Sequence, residues 1–199
     1  MNFLAHIYLS GEKEAVKVGN FMADSIRGKK YMDYAPELQQ GILLHRFIDT
    51  YTDAHPVFRQ STKRLHKNYS HYSGVIVDIY YDHFLARYWS EYHPEPLLGY
   101  THDFFEILHR YYDILPMQVK KLLPYLIADN WLYNYSNLDG IARVLAGMNR
   151  RTGNRVGMNE AIDDLRLHYD AFEQEFRTFF SELQKASHQK LTELENTLL

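Results

Sequence analysis

Apolar residues recur at steps of three and four along almost the whole chain, which is the spacing of one face of an α-helix. No stretch alternates apolar and polar residues between tight turns such as Asn-Gly, so the pattern gives no sign of strands. The spacing therefore predicts an all-α fold built as a multi-helix bundle. The predicted helices cover residues 12–25, 36–54, 57–68, 72–91, 97–114, 117–134, 138–150 and about 158–196.

The prolines agree with these boundaries, with one exception. Most lie between or at the starts of predicted helices, where the fixed φ angle and the missing N–H of proline do least harm. Pro124 lies inside the segment 117–134, and we expect it to kink or split that helix. The last predicted helix is rich in phenylalanine up to Phe180 and then becomes mostly charged. We expect its final turns to extend past the core or to pack on a partner.

The composition limits the number of domains and the kind of partner. With 199 residues, 46% of them hydrophobic, the chain can bury one core, and we predict a single domain over residues 1–199. A net charge of −3 does not indicate a surface that coats nucleic acid or a membrane, so we expect neither as a partner. The stretch MNFLAHIYLSGEKEA has no basic segment and His6 interrupts its apolar run. This predicts neither a signal peptide nor a membrane span, and we expect a cytoplasmic protein.

The chain has no cysteine, which restricts the chemistry it can perform. Disulfides, zinc–thiolate sites and thiol nucleophiles are excluded, and the composition is compatible with a reducing compartment. Any metal site must use imidazole nitrogen and carboxylate oxygen. Such ligands suit manganese, iron or zinc, and without thiolates an octahedral site rich in oxygen and nitrogen is the natural expectation.

Ionisable residues interrupt the apolar run GVIVDIYYDHFLARYW at residues 74–89. Asp78 and Asp82 are four residues apart, so their side chains project from one face of the predicted helix. His83 follows directly. Two carboxylates that face the core together repel each other unless a cation lies between them, so the pattern indicates a bound cation.

A second predicted helix carries the same combination. In the stretch GILLHRFIDTYTDAHP, His45, Asp49 and Asp53 follow at steps of four behind an apolar segment. A single helical aspartate or histidine is usually solvated or hydrogen-bonded within the core, and each of these residues alone has that explanation. Taken together, the two helices favour a divalent-metal site, but spacing alone does not name its reaction.

Five short blocks of the sequence carry a family resemblance when they are taken together. They are MNFLAHIYLS, VGNFMADSIRGK, GILLHRFIDTYTDAHP, GVIVDIYYDHFLARYW and NWLYNY, in this order over roughly residues 1–135. The set resembles the acyl carrier protein phosphodiesterases, also called acyl carrier protein hydrolases. This implies an all-helical, HD-domain-like metalloenzyme from a divergent branch of the HD phosphohydrolases. It also implies that the phosphodiester joining 4′-phosphopantetheine to a serine of holo-acyl carrier protein is hydrolysed, with Mn²⁺ as the preferred ion and one or two ions bound.

The resemblance also implies a set of metal ligands. They are Asp24, His45, Asp78, Asp82 and His83. In HD phosphohydrolases the ligands follow the order histidine, adjacent His-Asp, late aspartate. His45 fits the first position, whereas the adjacent pair is reversed here, as Asp82-His83. Asp78, one turn earlier, is a candidate substitute for one ligand, and Asp129 is a candidate for the late aspartate.

Other residues of the same blocks would carry the chemistry. We expect Asp49 to orient His45 or a water molecule from the second shell of the metal. We expect His6 to donate a proton to the departing serine oxygen. Arg46 and Arg27 would contact the phosphate through paired N–H donors.

The acidic carrier protein implied by the resemblance would need a locally basic surface. Three stretches qualify, namely Arg27 with Lys29 and Lys30, Lys63 with Arg64 and Lys67, and Arg150 with Arg151 and Arg155. Such stretches are more often solvated faces. Only the first adjoins the expected chemistry in sequence, so we expect Arg27, Lys29 and Lys30 to bind the substrate.

Three other functions fit parts of the pattern. A hydrolase of nucleotides or of another small phosphate ester would use the same metal residues. A ferritin-like di-iron oxidoreductase needs two Glu-x-x-His motifs, and the sequence has only one, from Glu106 to His109. A non-catalytic module that binds acyl carrier protein or RNA would keep its binding when the metal residues are replaced.

Overall fold

The computed structural model describes residues 1–198, and within them the chain is helical throughout its length, with no strand. The prediction of an all-α fold is confirmed. The helices are α1 (Phe3–Tyr8), α2 (Glu14–Met22), α3 (Pro36–Ala54), α4 (Pro56–Tyr69), α5 (Ser73–Arg87), α6 (Leu97–Arg110), α7 (Met117–Ala128), α8 (Trp131–Asn134), α9 (Leu138–Arg151), α10 (Ala161–Leu167) and α11 (Tyr169–Leu198).

The central predicted helices agree closely with the structure. Helices α3 and α4 both have proline at the first helical position, where its missing N–H is not needed. Helices α5 and α6 end a few residues earlier than predicted, at Arg87 and Arg110, and short 3-10 turns follow them.

Two long predicted helices are each divided. The predicted segment 117–134 runs through Pro124 as far as Ala128, and the break comes at Asn130, whose φ of 39° is left-handed. The expectation that Pro124 splits this helix is therefore wrong. The predicted helix 158–196 starts as a 3-10 turn and breaks again at His168, which separates α10 from α11.

Helices α2 and α3 pack with their backbones in contact. A Cβ atom on Gly19 would overlap the carbonyl oxygen of Leu38, and one on Gly41 would overlap that of Val16. Only glycine permits this approach. The contact brings the polar end of α2, with Asn20, against the face of α3 that carries His45.

Helix α11 packs along α3, α4 and α5 through a stripe of aromatic residues. The completely buried members are Phe172, Phe176, Phe179 and Phe180. The charged end of this helix also contacts the body of the protein, because Leu194 is buried and Glu195 forms an ion pair with Lys13 at 2.9 Å. The final turns therefore do not extend past the core, and packing on a partner stays a prediction.

Candidate metal centre

A cavity of about 360 Å³ opens beside the contact between α2 and α3. Helices α1, α3, α5, α8 and α9 all contribute to its lining. Its polar residues include His6, Asn20, Asp24, His45, Asp49 and Asp78. The part contributed by α8 and α9 is mostly apolar. One side of the cavity therefore carries residues that can bind a metal, and the other side suits an organic group.

Two histidines and two aspartates meet in this cavity. His6 Nε2 lies 3.2 Å from Asp49 Oδ1, and His45 Nε2 lies 3.0 Å from Asp49 Oδ2. His45 Nε2 is also 3.1 Å from Asp24 Oδ1. The two imidazole rings stack with centroids 4.1 Å apart. One ligand atom from each of His6, His45 and Asp49 lies within 4.8 Å of the others, so the three residues could hold one metal ion.

One buried amide fixes both rings. Asn20 Oδ1 accepts hydrogen bonds from His6 Nδ1 at 2.8 Å and from His45 Nδ1 at 3.1 Å. The amide orientation is set by its nitrogen, which donates to the carbonyl oxygen of His6 and to Ser10 Oγ. An amide oxygen only accepts, so both Nδ1 atoms must carry hydrogen. Both Nε2 atoms are thereby turned towards the carboxylates.

The Nε2 atoms and the carboxylate oxygens are arranged so that a cation could lie between them. In neutral rings both Nε2 atoms would face the Asp49 oxygens with lone pairs, and acceptors facing each other at about 3 Å repel. Two ligands at right angles, each about 2.1 Å from an ion, lie about 3.0 Å apart. The separations of 3.0 to 3.2 Å between nitrogen and oxygen therefore fit a divalent ion.

The charges of the cluster agree with this interpretation. Burial lowers the pKa of His6 to about 4, so its ring is neutral. Burial also disfavours the charge on His45, but hydrogen bonds to Asp24 and Asp49 outweigh it and raise the pKa of His45 to about 9. The same hydrogen bonds hold the pKa of the Asp49 carboxyl well below its usual range against the effect of burial. Without a metal, one proton on His45 takes the place of a cation.

Asp78 lies in the same cavity but outside the group of three. Its Oδ1 atom lies 2.8 Å from the α-amino group of Met1. Burial raises the pKa of Asp78, the amino group opposes the rise, and the carboxylates of Asp49 and Asp53 add to it. Asp78 is thus a carboxyl group beside the cluster that can hold a proton.

Asp82 has a structural role instead of a place in the cluster. Its carboxylate accepts the backbone N–H groups of Asn2, Leu4 and Ala5 at 3.2, 2.7 and 3.4 Å, and it is completely buried. Burial raises its pKa to about 7. Asp82 therefore holds the start of α1, the helix that carries His6.

His83 is also occupied elsewhere. Its Nδ1 donates to the carbonyl oxygen of Tyr135 at 2.7 Å, and its Nε2 lies 2.8 Å from the hydroxyl of Tyr169. Burial lowers its pKa to about 4, so the ring is neutral. Neither Asp82 nor His83 lines the cavity. Of the expected ligands, the structure brings together Asp24 and His45, places Asp78 nearby, and keeps the Asp82-His83 pair apart.

The expected phosphate-binding residues lie outside the cavity lining. Arg46 Nη2 donates to the carbonyl oxygens of Ile26 and Gly28 at 3.0 and 2.9 Å, and its guanidinium lies over the ring of Tyr31. Arg46 therefore holds the segment that follows Asp24. That segment presents Arg27, Lys29 and Lys30 to solvent.

Three further candidates from the sequence are placed by the structure. Asp129 is exposed at the turn between α7 and α8 and does not line the cavity. Arg64 is paired with Glu175 through both terminal nitrogens, at 2.8 and 2.7 Å. Arg151 does line the cavity.

Sequence reasoning missed Asn20 and Trp131 as residues of the site. Asn20 precedes Asp24 by one helical turn, and it lies in the block VGNFMADSIRGK that contains Asp24. That spacing was the available signal. Nothing in the sequence shows that its amide would reach two histidines, because this depends on how α1, α2 and α3 pack.

The chain is similar to known proteins over nearly all of its length. Residues 1–183 match the family described as acyl carrier protein phosphodiesterase. A protein of that name from Yersinia pestis is 32% identical over 196 residues, which cover 96% of this chain and 99% of the relative. One from Salmonella agona (strain SL483) is 34% identical over 184 residues, which cover 90% of this chain and 94% of the relative.

The solved structures and the helix lengths do not change this result. No solved structure matches the chain. Within residues 1–198 no helix is both long and apolar enough to cross a bilayer. The family match and the two relatives decide the classification, and the chain belongs to the acyl carrier protein phosphodiesterase family.

Proposed function

We propose that the chain is a metal-dependent phosphodiester hydrolase that removes 4′-phosphopantetheine from the serine of holo-acyl carrier protein and leaves the apo-protein. The observation that carries this proposal is the cluster of His6, His45 and Asp49, oriented by Asn20 in a cavity of a chain of this family. A place in the HD phosphohydrolase superfamily is part of the proposal, as is Mn²⁺ as the ion. The cytoplasm is the expected compartment.

The ligands in this proposal differ from the expected set. His6 and His45 would bind through Nε2, and Asp49 and Asp24 through carboxylate oxygen. When bound, a divalent ion lowers the pKa of a coordinated water and withdraws charge from the phosphoryl group. Asn20 keeps both rings in the tautomer that can bind, as second-shell partners of metal-binding histidines do.

The leaving serine oxygen must receive a proton, and we expect a side chain of this protein to donate it. Burial lowers the pKa of His6 to about 4, which makes it a poor acid at neutral pH. Asp78 is better suited, because burial raises its pKa and it lies in the same cavity. We therefore assign the proton transfer to Asp78 in place of His6.

The cavity and its surroundings also suit the substrate. Trp131, Val144 and Met148 form an apolar part of the lining, which fits a thin and partly apolar arm such as pantetheine. Arg27, Lys29 and Lys30 are exposed on the segment after Asp24, where an acidic carrier protein could dock.

The test is the mass of acyl carrier protein after incubation with the purified, chelator-treated chain. With added Mn²⁺ we expect loss of the 4′-phosphopantetheine mass, and without metal no loss. Asp49→Asn should abolish the conversion, whereas Asp113→Asn, which changes an exposed carboxylate outside the cavity, should convert at the wild-type rate.

The outcomes test the assignment of the site and the assignment of the substrate independently. If the folded, metal-loaded chain leaves holo-acyl carrier protein intact but hydrolyses nucleotides, the substrate assignment is wrong and the site assignment holds. If Asp49→Asn converts holo-acyl carrier protein as fast as the wild type, the site assignment is wrong.

A further inference from the structure

The cavity has one strongly basic side chain in its lining. Within residues 1–198 the acidic lining residues are Asp24, Asp49, Asp53 and Asp78, and Arg151 is the only lysine or arginine. An anionic phosphodiester that enters such a cavity meets carboxylates on most sides. Even with a divalent ion held by the cluster, its remaining non-bridging oxygens need a donor of this chain.

The register of α9 selects Arg151 from three neighbouring arginines. Val144, Met148 and Arg151 lie at steps of four and three, and all three line the cavity. All three arginines are exposed, but Arg150 and Arg155 do not line the cavity. Arg151 therefore continues the face of α9 that forms the apolar wall, and its charge lies at the end of that wall.

Trp131 holds the guanidinium in place. The Arg151 group lies over the Trp131 ring, 5.4 Å from its centroid, and Trp131 lines the same cavity. Within residues 1–198, Arg151 donates no hydrogen bond and forms no ion pair, unlike Arg64 with Glu175. A stacked guanidinium keeps its N–H groups free at its edge, where they can bind two oxygens of one phosphate.

Helices α8 and α9, which carry these two side chains, pack with their backbones in contact at the start of α9. A Cβ atom on Gly140 of α9 would overlap the carbonyl oxygen of Asn134 in α8. Arg151 also acts on the hydroxyl of Tyr135, which lines the cavity. Burial raises the pKa of this hydroxyl, and the Arg151 charge opposes the rise.

We propose that Arg151, held on Trp131, is the residue that binds the phosphate group of the substrate in this cavity. The assignment rests on the proposed function for the identity of the substrate, but its anion-binding chemistry does not. It gives Arg151 the task that the sequence had suggested for Arg27 and Arg46, neither of which lines the cavity.

The test uses the full-length, Mn²⁺-loaded protein and inorganic phosphate as the probe, with binding measured by calorimetry. Arg151→Gln should weaken phosphate binding by about tenfold or more, as expected for loss of a paired, charge-assisted contact. Arg150→Gln removes the same charge from the next residue, and should change binding by less than about twofold. Trp131→Leu should weaken binding by about threefold or more, because the guanidinium loses its platform.

Four results would overturn the proposal. The first is phosphate binding by Arg151→Gln at wild-type strength in a protein that unfolds at the wild-type temperature. The second is equal weakening by Arg150→Gln, which would indicate only general electrostatics. The third is wild-type phosphate binding by Trp131→Leu. The fourth is a change of KM in Arg151→Gln that is confined to one substrate. A raised KM for holo-acyl carrier protein with an unchanged KM for bis(4-nitrophenyl) phosphate would place Arg151 in the docking of the carrier protein.

The same measurements separate this inference from the proposed function. Phosphate binding needs no turnover. If no variant and no wild type converts holo-acyl carrier protein, but Arg151→Gln still loses phosphate binding, the anion site holds and the carrier-protein reaction is wrong.

Discussion

Helix α5 and the cavity beside α3 both contain a buried histidine close to an aspartate, yet the two regions differ in what surrounds the polar atoms. On α5, Asp82 accepts three backbone N–H groups, and both nitrogens of His83 have oxygen partners. In the cavity, His6 and His45 have partners at Nδ1, but their Nε2 atoms face carboxylates.

The difference shows how a structural pair is distinguished from a ligand set. Both regions combine histidine with aspartate, but Asp82 and His83 are completely buried, whereas the carboxylates of Asp24 and Asp49 are partly open to solvent. The carboxylate of Asp82 and both ring nitrogens of His83 have hydrogen-bond partners that the fold supplies, so a metal ion would have to displace these bonds. In the cavity the Nε2 atoms of both histidines face carboxylate oxygens, so either a proton on His45 or a metal ion completes the arrangement.

The largest expected effect is a loss of metal binding in one region alone. His45→Gln should weaken Mn²⁺ binding by more than about 100-fold, beyond the 10- to 100-fold typical for second-shell partners. His83→Gln should retain the wild-type affinity while it is folded. Titration of both chelator-treated variants with Mn²⁺ checks this. Equal losses in the two variants would remove the distinction between the regions.

The second prediction concerns the stability of the α5 pair as a function of pH. The folded-state pKa of His83 is about 4, below its ordinary value of 6.5, because the ring is buried. As pH falls below 6.5 the unfolded chain takes up this proton first, so the stability contributed by neutral His83 is present above pH 6.5 and is lost towards pH 4. The full loss is about 3 kcal/mol.

Urea unfolding of the metal-free protein between pH 7 and pH 4 measures this effect. Other groups titrate in the same range, including His6, so the difference between wild type and His83→Gln is the quantity to follow. That difference should shrink as pH falls. A difference that stays constant with pH would mean that His83 is not held neutral.

The third prediction concerns the shared amide of the cavity. Asn20→Leu keeps the size of the side chain but removes the oxygen that holds both Nδ1 atoms. Metal affinity should fall by about 10- to 100-fold. The control is Gln39→Leu on α3, which removes a half-buried amide whose nitrogen donates to the carbonyl oxygen of Tyr34. Wild-type affinity in Asn20→Leu would show that the tautomers are set by something else.

The smallest effect is expected at Arg46. Its nitrogen bonds two carbonyl oxygens of the segment after Asp24, so Arg46→Gln should cost about 1–3 kcal/mol of stability. The turnover of the folded variant should change by no more than a few-fold, in contrast to Arg151→Gln. A large fall in kcat for Arg46→Gln would restore the phosphate contact that the sequence suggested.

The helices that the sequence predicts correctly are those whose formation depends on residues close to one another in the chain. Apolar spacing and prolines gave α3 to α6 because these helices are long and begin at residues that favour helix starts. Helix α1 has only six residues, and its N–H groups are satisfied by Asp82, about eighty positions away. The break at Asn130 depends on one left-handed residue, which apolar spacing does not reveal.

The candidate site also has one part that depends on nearby residues and one part that depends on how distant segments pack. The spacing of His45 and Asp49 by one turn was enough to place them together, because both lie on α3. The meeting of His6 with His45 requires the close packing of α2 on α3, which Gly19 and Gly41 permit. The positions of Asp82 and His83 outside the cluster have the matching cause, since their partners are distant backbone groups and a distant tyrosine.

The most direct test of the central claim is the position of a bound manganese ion in crystals, measured from anomalous scattering at the Mn absorption edge. The account predicts a peak about 2.0–2.3 Å from Nε2 of both His6 and His45 and from an Asp49 oxygen. A peak at His83 or Asp82, or a peak elsewhere with none between His6 and His45, would contradict it.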